Sequence, residues 1–382
     1  MSSLAEILSA EIARSGPIPF RRFMELALYE PTCGYYASGR AAIGQRGDFL
    51  TSVSVGPLFG RLLTTQFEEM WELLGRPERF KVVEQGANNG DFAHDVLSAA
   101  KSTPAFAAAL HYGIVEPFPH NAARQRERLA EFAGRVTWHA ALADLPPFTG
   151  VHFSNELVDA LPVHRVVFRG GEWRERCVSV GDGGDFAWSD GPLSDPALAA
   201  YLPHLPLVEG YETEINLEAP AWLKAVLGRL ERGYVLIADY GFSRADYYLP
   251  ERTQGTLSAY RQHRRCDDAL ADPCEQDLTA HAEFTTLAEQ AEQAGARVAG
   301  FTDQHHFLAA LGRRVFPDVT DPRQLTPERQ KELRAFATLM HPTLMGRGFQ
   351  FLALAKGAST GLRGYELAAD ARKALGLGSE SH

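Results

Sequence analysis

The sequence predicts an α/β fold, a mainly parallel, doubly wound sheet with helices on both faces. Three observations lead there. Short β-favouring runs alternate with helical periods along most of the chain. Acidic or amide residues close four of these runs, namely Glu84, Glu116, Asn155-Glu156 and Asp239. Between the first run and its helix stands KVVEQGANNGDFAHDVL, residues 81–97, where Gly86 and Gly90 bracket a turn of small polar residues. In an open α/β sheet ligands bind at the C-terminal strand edge, so the shared position of the four groups says more than any one of them. The glycine turn suits a nucleoside cofactor, because small residues let backbone N–H groups approach it and a helix N-terminus faces it.

Taken in order, the chain opens with a helix over residues 3–14. Ser3 and Glu6 form its capping box, Leu4, Ile7, Leu8 and Ile12 line one face, and Gly16-Pro17 ends it. A second helix is expected from Phe20 to Leu28, and then a long glycine- and aromatic-rich loop from Pro31 to Ser52, of a kind usually functional or mobile. Residues 57–75 return to helical spacing and lead into the first strand. Further strands are expected at Tyr112–Phe118, near Val136, at Gly150–Glu156 and at Tyr234–Phe242, with a polar helix over 120–133. The segment 165–213 reads as an insertion with an antiparallel hairpin turning at Gly170-Gly171 and at residues 181–184, and residues 243–280 as an irregular insertion. FTTLAEQAEQAGA, RVAGF, a Thr326-Pro327-capped helix and FQFLALAKG supply the late helix, strand, helix and strand. The expected organisation is therefore a helical segment and loop over 1–80, two core halves over 81–164 and 214–360, the insertion between them, and a tail over 361–382.

Composition narrows the class. At 382 residues, 45% hydrophobic and 23% charged, the chain matches an ordinary soluble globular protein. No apolar run reaches about 18 residues, so no membrane insertion is expected. The start, MSSLAEILSAEIARSGP, lacks the pattern of a secretory signal, and Cys33, Cys177, Cys266 and Cys274 show no CxxC spacing. Neither a disulfide framework nor a metal site is expected, His305-His306 having no further ligand at suitable spacing, and a reducing, cytoplasmic location follows. A net charge of −10 disfavours a nucleic-acid partner and suits a basic substrate such as an arginine-bearing protein. Nothing in the sequence fixes the oligomeric state.

Eight blocks then carry a resemblance. EPTCGYY with RGDFLTS, VVEQGANNGD, SNELVDALPVHR, INLEAPAW, ADYGF, GTLSAYRQHR and ADPCEQDLTAHAEFTTL span about Tyr29 to Leu287. Together they resemble the family of S-adenosylmethionine-dependent methyltransferases that includes mitochondrial complex I assembly factors. The resemblance implies a class I methyltransferase (Rossmann-like) fold with a seven-stranded sheet, S-adenosylmethionine at the strand C-termini, and methylation of a protein arginine side chain. Glu84, Gly86 and Gly90 match the acid and two glycines of the cofactor loop. Asn88 stands where glycine is usual, Gln85 where leucine is, Val53-Ser54 where proline and glutamate tend to stand, and Glu283 replaces an aspartate. The family's further contacts fall on Asp48, Thr51 and His164 as substrate-binding positions.

Methyl transfer from a sulfonium is an in-line displacement that asks the protein for alignment, desolvation and the handling of one proton. Glu116 is placed to accept from ribose hydroxyls, or is a solvated acid beside Pro117. Glu84 either holds an ammonium or caps the turn. Together with Gly86, Asn88, Gly90 and Asn155 these form the expected cofactor set. A guanidinium is planar, always charged and best met by carboxylates, which makes Glu156 and Asp159 the expected catalytic pair. A helix after Asn155 would put both on one face, whereas the alternative reading of Asp159 is a cap or a salt bridge to Arg165. Asp239 and Tyr240 form a substrate wall or cap the next turn, and His263 is a substrate contact or a solvated histidine. Asn155 lacks the two prolines expected of nucleic-acid amino methylases. An NAD-dependent oxidoreductase is disfavoured because G-A-N-N-G is not G-x-G-x-x-G. The competing reading is an assembly or binding factor that keeps the fold with weak or no catalysis.

Overall fold

The computed structural model describes residues 3–39, 53–262, 264–316, 326–341, 346 and 348–378. The chain forms two compact units and crosses between them several times: one comprises Met1–Phe49, Val158–Ala221 and Phe242–Glu283, the other Leu50–Leu157, Trp222–Gly241 and Phe284–His382.

The larger unit is an α/β layer structure around a mixed sheet. From one edge its neighbouring strands are Arg297–Asp303, Phe349–Lys356, Leu230–Phe242, Phe148–Asn155, Phe80–Gln85, Leu110–Val115 and Val136–His139. The pairs from Leu230–Phe242 through Val136–His139 are parallel. Phe349–Lys356 runs antiparallel to both its neighbours, so the last strand in sequence is inserted one place in from the edge. These are the two late strands expected from RVAGF and FQFLALAKG, whose order in the sheet the sequence does not set. The strands are nearly all apolar, as a sheet covered on both faces demands. Alternate residues Val82, Tyr112, Ile114, Val151, Phe153, Leu236 and Phe351 join one core with Phe59, Leu62, Phe67 and Met70 of the Leu58–Leu73 helix and with Phe92 and Val96 of Asp91–Ala100. Phe92 stacks on Phe153 at 4.5 Å and Phe307 on Phe351 at 4.1 Å. Gly150 and Gly233 lie side by side on adjacent strands at φ +151° and +140°, where a side chain on Gly150 would collide with the Lys81 carbonyl. Only glycine permits that approach.

The smaller unit is antiparallel. Ile18–Pro19, Glu172–Val180, His164–Arg169 and Glu212–Ile215 pair in that order, and Phe186–Gly191 adds to Glu172–Val180, extending the expected hairpin. The segment expected as irregular, 243–280, holds a small sheet of Ser258–Arg261, Arg264–Cys266 and Asp277–Thr279. The helices Leu4–Ser15, with its Ser3–Glu6 capping box, and Phe20–Tyr29 bury Leu4, Leu8, Phe20, Phe23 and Met24 against this unit's core. Helices Glu218–Arg229 and Gln304–Val315 were not anticipated: INLEAPAW gives too short a periodic stretch, and the Asp303 N-cap of the second, which accepts the His306 N–H at 2.9 Å, was passed over in the sequence.

Candidate active site

Strand register sets the first part of the site. Gln85 pairs with Ser154 on one side and Val115 on the other, and Asn155 pairs with Ala238. Glu84, Glu116, Asn155 and Asp239 therefore share the C-terminal edge of the parallel strands, as their positions in the sequence led one to expect. Beyond Gln85 the chain turns through three left-handed residues, Gly86 (φ +84°), Asn88 (φ +44°) and Gly90 (φ +84°), and Gly90 opens the helix Asp91–Ala100. Asparagine is among the few side-chain-bearing residues that enter this region readily, so the turn survives the substitution at its centre. Gly86 packs against the neighbouring strand end: a Cβ there would stand 3.7 Å from the Asn155 carbonyl and 3.6 Å from Leu157.

A buried clamp fastens this loop. Gln125, fully buried, donates through Nε2 to the Asn88 carbonyl and to Glu116 Oε2, each at 2.8 Å, and its Oε1 accepts from Trp138 at 3.1 Å. Glu116 Oε1 accepts the Phe118 N–H at 3.0 Å. Burial raises the Glu116 pKa, against the hydrogen bonds from Phe118, Gln125 and Asn121. Sequence reasoning missed Gln125, because in PHNAARQRER a glutamine has the look of a surface residue. Glu84 is buried with the Tyr112 hydroxyl donating to Oε2 at 2.8 Å. Desolvation pushes its pKa up to about 8, the tyrosine acting against the shift and the charge of Asp91 adding to it.

At the next strand end Glu156 holds φ +51°, unusual for a residue with a side chain. Its N–H donates to the Ala238 carbonyl at 3.0 Å, and its carboxylate accepts from Asn155 Nδ2 at 3.1 Å. Asn155 Oδ1 is buried and has no hydrogen-bond partner among the described residues. Asp239, fully buried, accepts the N–H groups of Leu157 at 3.1 Å and Tyr240 at 2.9 Å, and so splints the two strand ends. Tyr240 packs edge-on to Phe349. The expected helix after Asn155 is absent: residues 156–161 form bends and turns. The left-handed Glu156, tied across to the next strand, ends the regular backbone there, so no helical face unites it with Asp159.

Asp159 and His164 belong to the smaller unit. Asp159 is buried, and its carbonyl accepts the Ala280 N–H at 2.9 Å. Its charge and that of Asp277 both raise the buried hydroxyls of Tyr29 and Tyr36, after desolvation as the larger cause. Tyr36 donates to Asp277 at 2.7 Å and Tyr29 to the Ala160 carbonyl at 2.8 Å. Asp277, in the segment read as an irregular insertion, is thus a buried neighbour of Asp159. The signal that marks it is its place in the CEQDLTAH block. Arg165 pairs with Glu212 and Glu214. Asp48, Thr51 and His263 lie outside the described residues. Among the described residues no His, Cys, Asp and Glu cluster has metal-binding geometry, and no helix is long and apolar enough to cross a membrane.

A parallel sheet with its ligand edge lined by acids, a left-handed glycine turn and a following helix defines a nucleoside-cofactor enzyme of the methyltransferase class. The family model for putative S-adenosyl-L-methionine-dependent methyltransferases matches residues 62–302, and the chain belongs to that family. It is an S-adenosylmethionine-dependent methyltransferase, and S-adenosylmethionine is its cofactor. The mitochondrial protein arginine methyltransferase NDUFAF7 homolog of Drosophila melanogaster is 32% identical over 383 residues, covering 93% of this chain and 85% of that one. Human mitochondrial NDUFAF7, also a protein arginine methyltransferase, is 27% identical over 380 residues, covering 91% and 82%. A likely methyl transfer enzyme from Burkholderia thailandensis, crystallised with S-adenosyl-homocysteine, superposes with a TM-score of 0.86 at 35% identity over 95% of this chain and 94% of that one.

These relatives correct one expectation. A cytoplasmic location is expected from cysteines without disulfide spacing and a start without the pattern of a secretory signal, yet the curated relatives are mitochondrial proteins. Cysteines without disulfide spacing report a reducing compartment and cannot tell one such compartment from another.

Proposed function

We propose that the protein methylates a guanidinium nitrogen of an arginine side chain in a protein substrate, on a seven-stranded, mainly parallel class I sheet. Glu84, Gly86, Asn88, Gly90, Glu116 and Asn155 hold the cofactor, Glu156 and Asp159 receive the guanidinium, and Asp239, Tyr240 and His263 support the substrate together with Asp48, Thr51 and His164, which the family resemblance assigns. The residues present fit the cofactor. The left-handed turn opens a backbone cradle, Glu116 stands at the strand tip with lone pairs for ribose hydroxyls, and the buried Asn155 Oδ1 awaits a donor. When bound, S-adenosylmethionine supplies a methyl group on a sulfonium whose departure needs no acid.

The protein's part is then alignment, exclusion of water and removal of one proton. The observation that carries the reading is Glu156, a carboxylate held by Asn155 on a left-handed backbone at the ligand edge. Such a conformation costs on the order of 1–3 kcal/mol and persists where the surroundings enforce it, commonly at active sites. A carboxylate there orients a guanidinium through paired N–H groups and takes its proton. The arginine-methylating relatives support the substrate class, and the net charge of −10 supports a basic protein over a nucleic acid. The left-handed Asn88, clamped by Gln125, favours an active enzyme over a binding factor.

The test is transfer of labelled methyl from S-adenosylmethionine to arginine-containing peptides and mitochondrial or bacterial extracts, followed by acid hydrolysis. Label in methylarginine is expected. Label confined to other residues, or none at all, overturns the assignment.

A further inference from the structure

In the smaller unit Arg21, Arg22, His164, Ser194, Asp195 and Glu218 line a cleft of about 360 Å³, with Pro19 and Leu217 supplying apolar walls. At its base His164 and Glu175 form a buried dyad: their side chains are 6% and 0% exposed, and Nδ1 lies 2.7 Å from Oε1. A carboxylate oxygen accepts, so Nδ1 is the donor of this pair.

Both guanidiniums of the cleft are already engaged. Arg21 donates to Glu218 through Nε at 3.1 Å and again through Nη2, and to Glu25 at 3.3 Å. Arg22 holds Glu11 by two parallel bonds of 3.0 and 3.2 Å and Glu25 by a third of 3.1 Å. An anion entering the cleft would have to break these pairs. Acceptors remain in the lining instead: Asp195 uses Oδ1 for the Ala197 N–H at 2.8 Å and Glu218 uses Oε1 for Arg21, so the second oxygen of each carboxylate is left over, in a cleft that Ser194 and His164 also line. Five carboxylates, Glu11, Glu25, Glu175, Asp195 and Glu218, stand against the two guanidiniums, so the local field is negative.

We propose that this cleft binds a cationic side chain, a guanidinium or an ammonium, of a polypeptide substrate. This rests on the reading of the substrate as a protein. The apolar walls accept the methylene stem and the acceptors take the charged head, the usual division for such side chains.

The full-length protein would be titrated calorimetrically with the amides of N-acetyl-arginine, N-acetyl-lysine and N-acetyl-glutamate, and separately with S-adenosylmethionine. Wild type, Asp195→Asn and Glu218→Gln are compared after melting curves confirm folding. The expected result is saturable binding of the arginine or lysine amide, weakened about fivefold or more in both variants, with no binding of the glutamate amide and unchanged S-adenosylmethionine affinity. If Glu218→Gln loosens the fold by freeing Arg21, Asp195→Asn still decides, because asparagine retains the oxygen that caps Ala197. Equal binding by variant and wild type, no binding of either cationic amide, or preference for glutamate overturns the proposal. Loss of methyl transfer to arginine in the wild type would instead strike at the proposed function, and the amide titrations do not depend on it.

Discussion

Glu84 lies one residue before the end of its strand and Glu156 one residue past the end of the neighbouring strand, yet their settings differ in kind. Glu84 is buried under Tyr112, and desolvation makes it a poor anion, with its pKa pushed up to about 8. The unfolded chain loses this proton near pH 4.3, at roughly the ordinary glutamate value. Between that point and about 8 the folded state therefore holds more protons than the unfolded one, and stability falls as pH rises through the window. Glu84→Gln keeps an acceptor for Tyr112 and removes the ionisation. Without cofactor, its melting temperature should gain on the wild type as pH rises from 5 to 8, and a difference independent of pH would show that Glu84 is not shifted. Glu156 is partly accessible and accepts from the Asn155 side-chain amide. Glu156→Gln should lower methyl transfer by about 100-fold with little change in S-adenosylmethionine affinity, read by single-turnover kinetics beside titration. Unchanged turnover would move proton removal to another group.

At the scale of elements, the strand–turn–helix is an assembly of three segments that sequence spacing cannot join. The Pro119–Arg128 helix sends Gln125 into the core, where one side chain ties the turn at Asn88 to the strand-tip acid Glu116. Gln125→Leu has similar volume and makes none of these bonds. Leaving a buried acceptor unpaired costs about 1–3 kcal/mol, so cofactor affinity should fall about tenfold or more while the helix content by circular dichroism is retained. Wild-type affinity in Gln125→Leu would make the clamp a packing detail only. Elements with strong period or caps were legible from the residues: the Ser3 capping box, Thr326-Pro327, and the apolar strands all fall where the chain places them. Those that rest on tertiary contacts were not. Glu156, read as the last residue of its strand and as the possible start of a helix, stands one residue past the strand in a left-handed bend, its N–H taken by Ala238 on the adjacent strand. Asp277 and Gln125 are polar residues in polar stretches, and only the folded chain shows that they are buried.

For the molecule as a whole, alternation of strands and helices announced the α/β layer, and the residues closing each strand announced its ligand edge. What was not legible is that residues 158–221 and 242–283 gather with the N-terminal segment into one compact unit, since these stretches lie far apart in the sequence. Nor did composition report the compartment, as the mitochondrial relatives made plain. The central claim is that the turn from Gly86 to Gly90 holds S-adenosylmethionine. Valine at position 86 must accept φ +84° and project a branched side chain toward Leu157 and the Asn155 carbonyl. Isothermal titration of wild type and Gly86→Val with S-adenosylmethionine, on samples shown to be folded, tests the claim most directly. The account predicts saturable binding by the wild type with Kd on the order of micromolar and none measurable by the variant. Equal affinity in the two proteins, or no binding by the wild type, would contradict it.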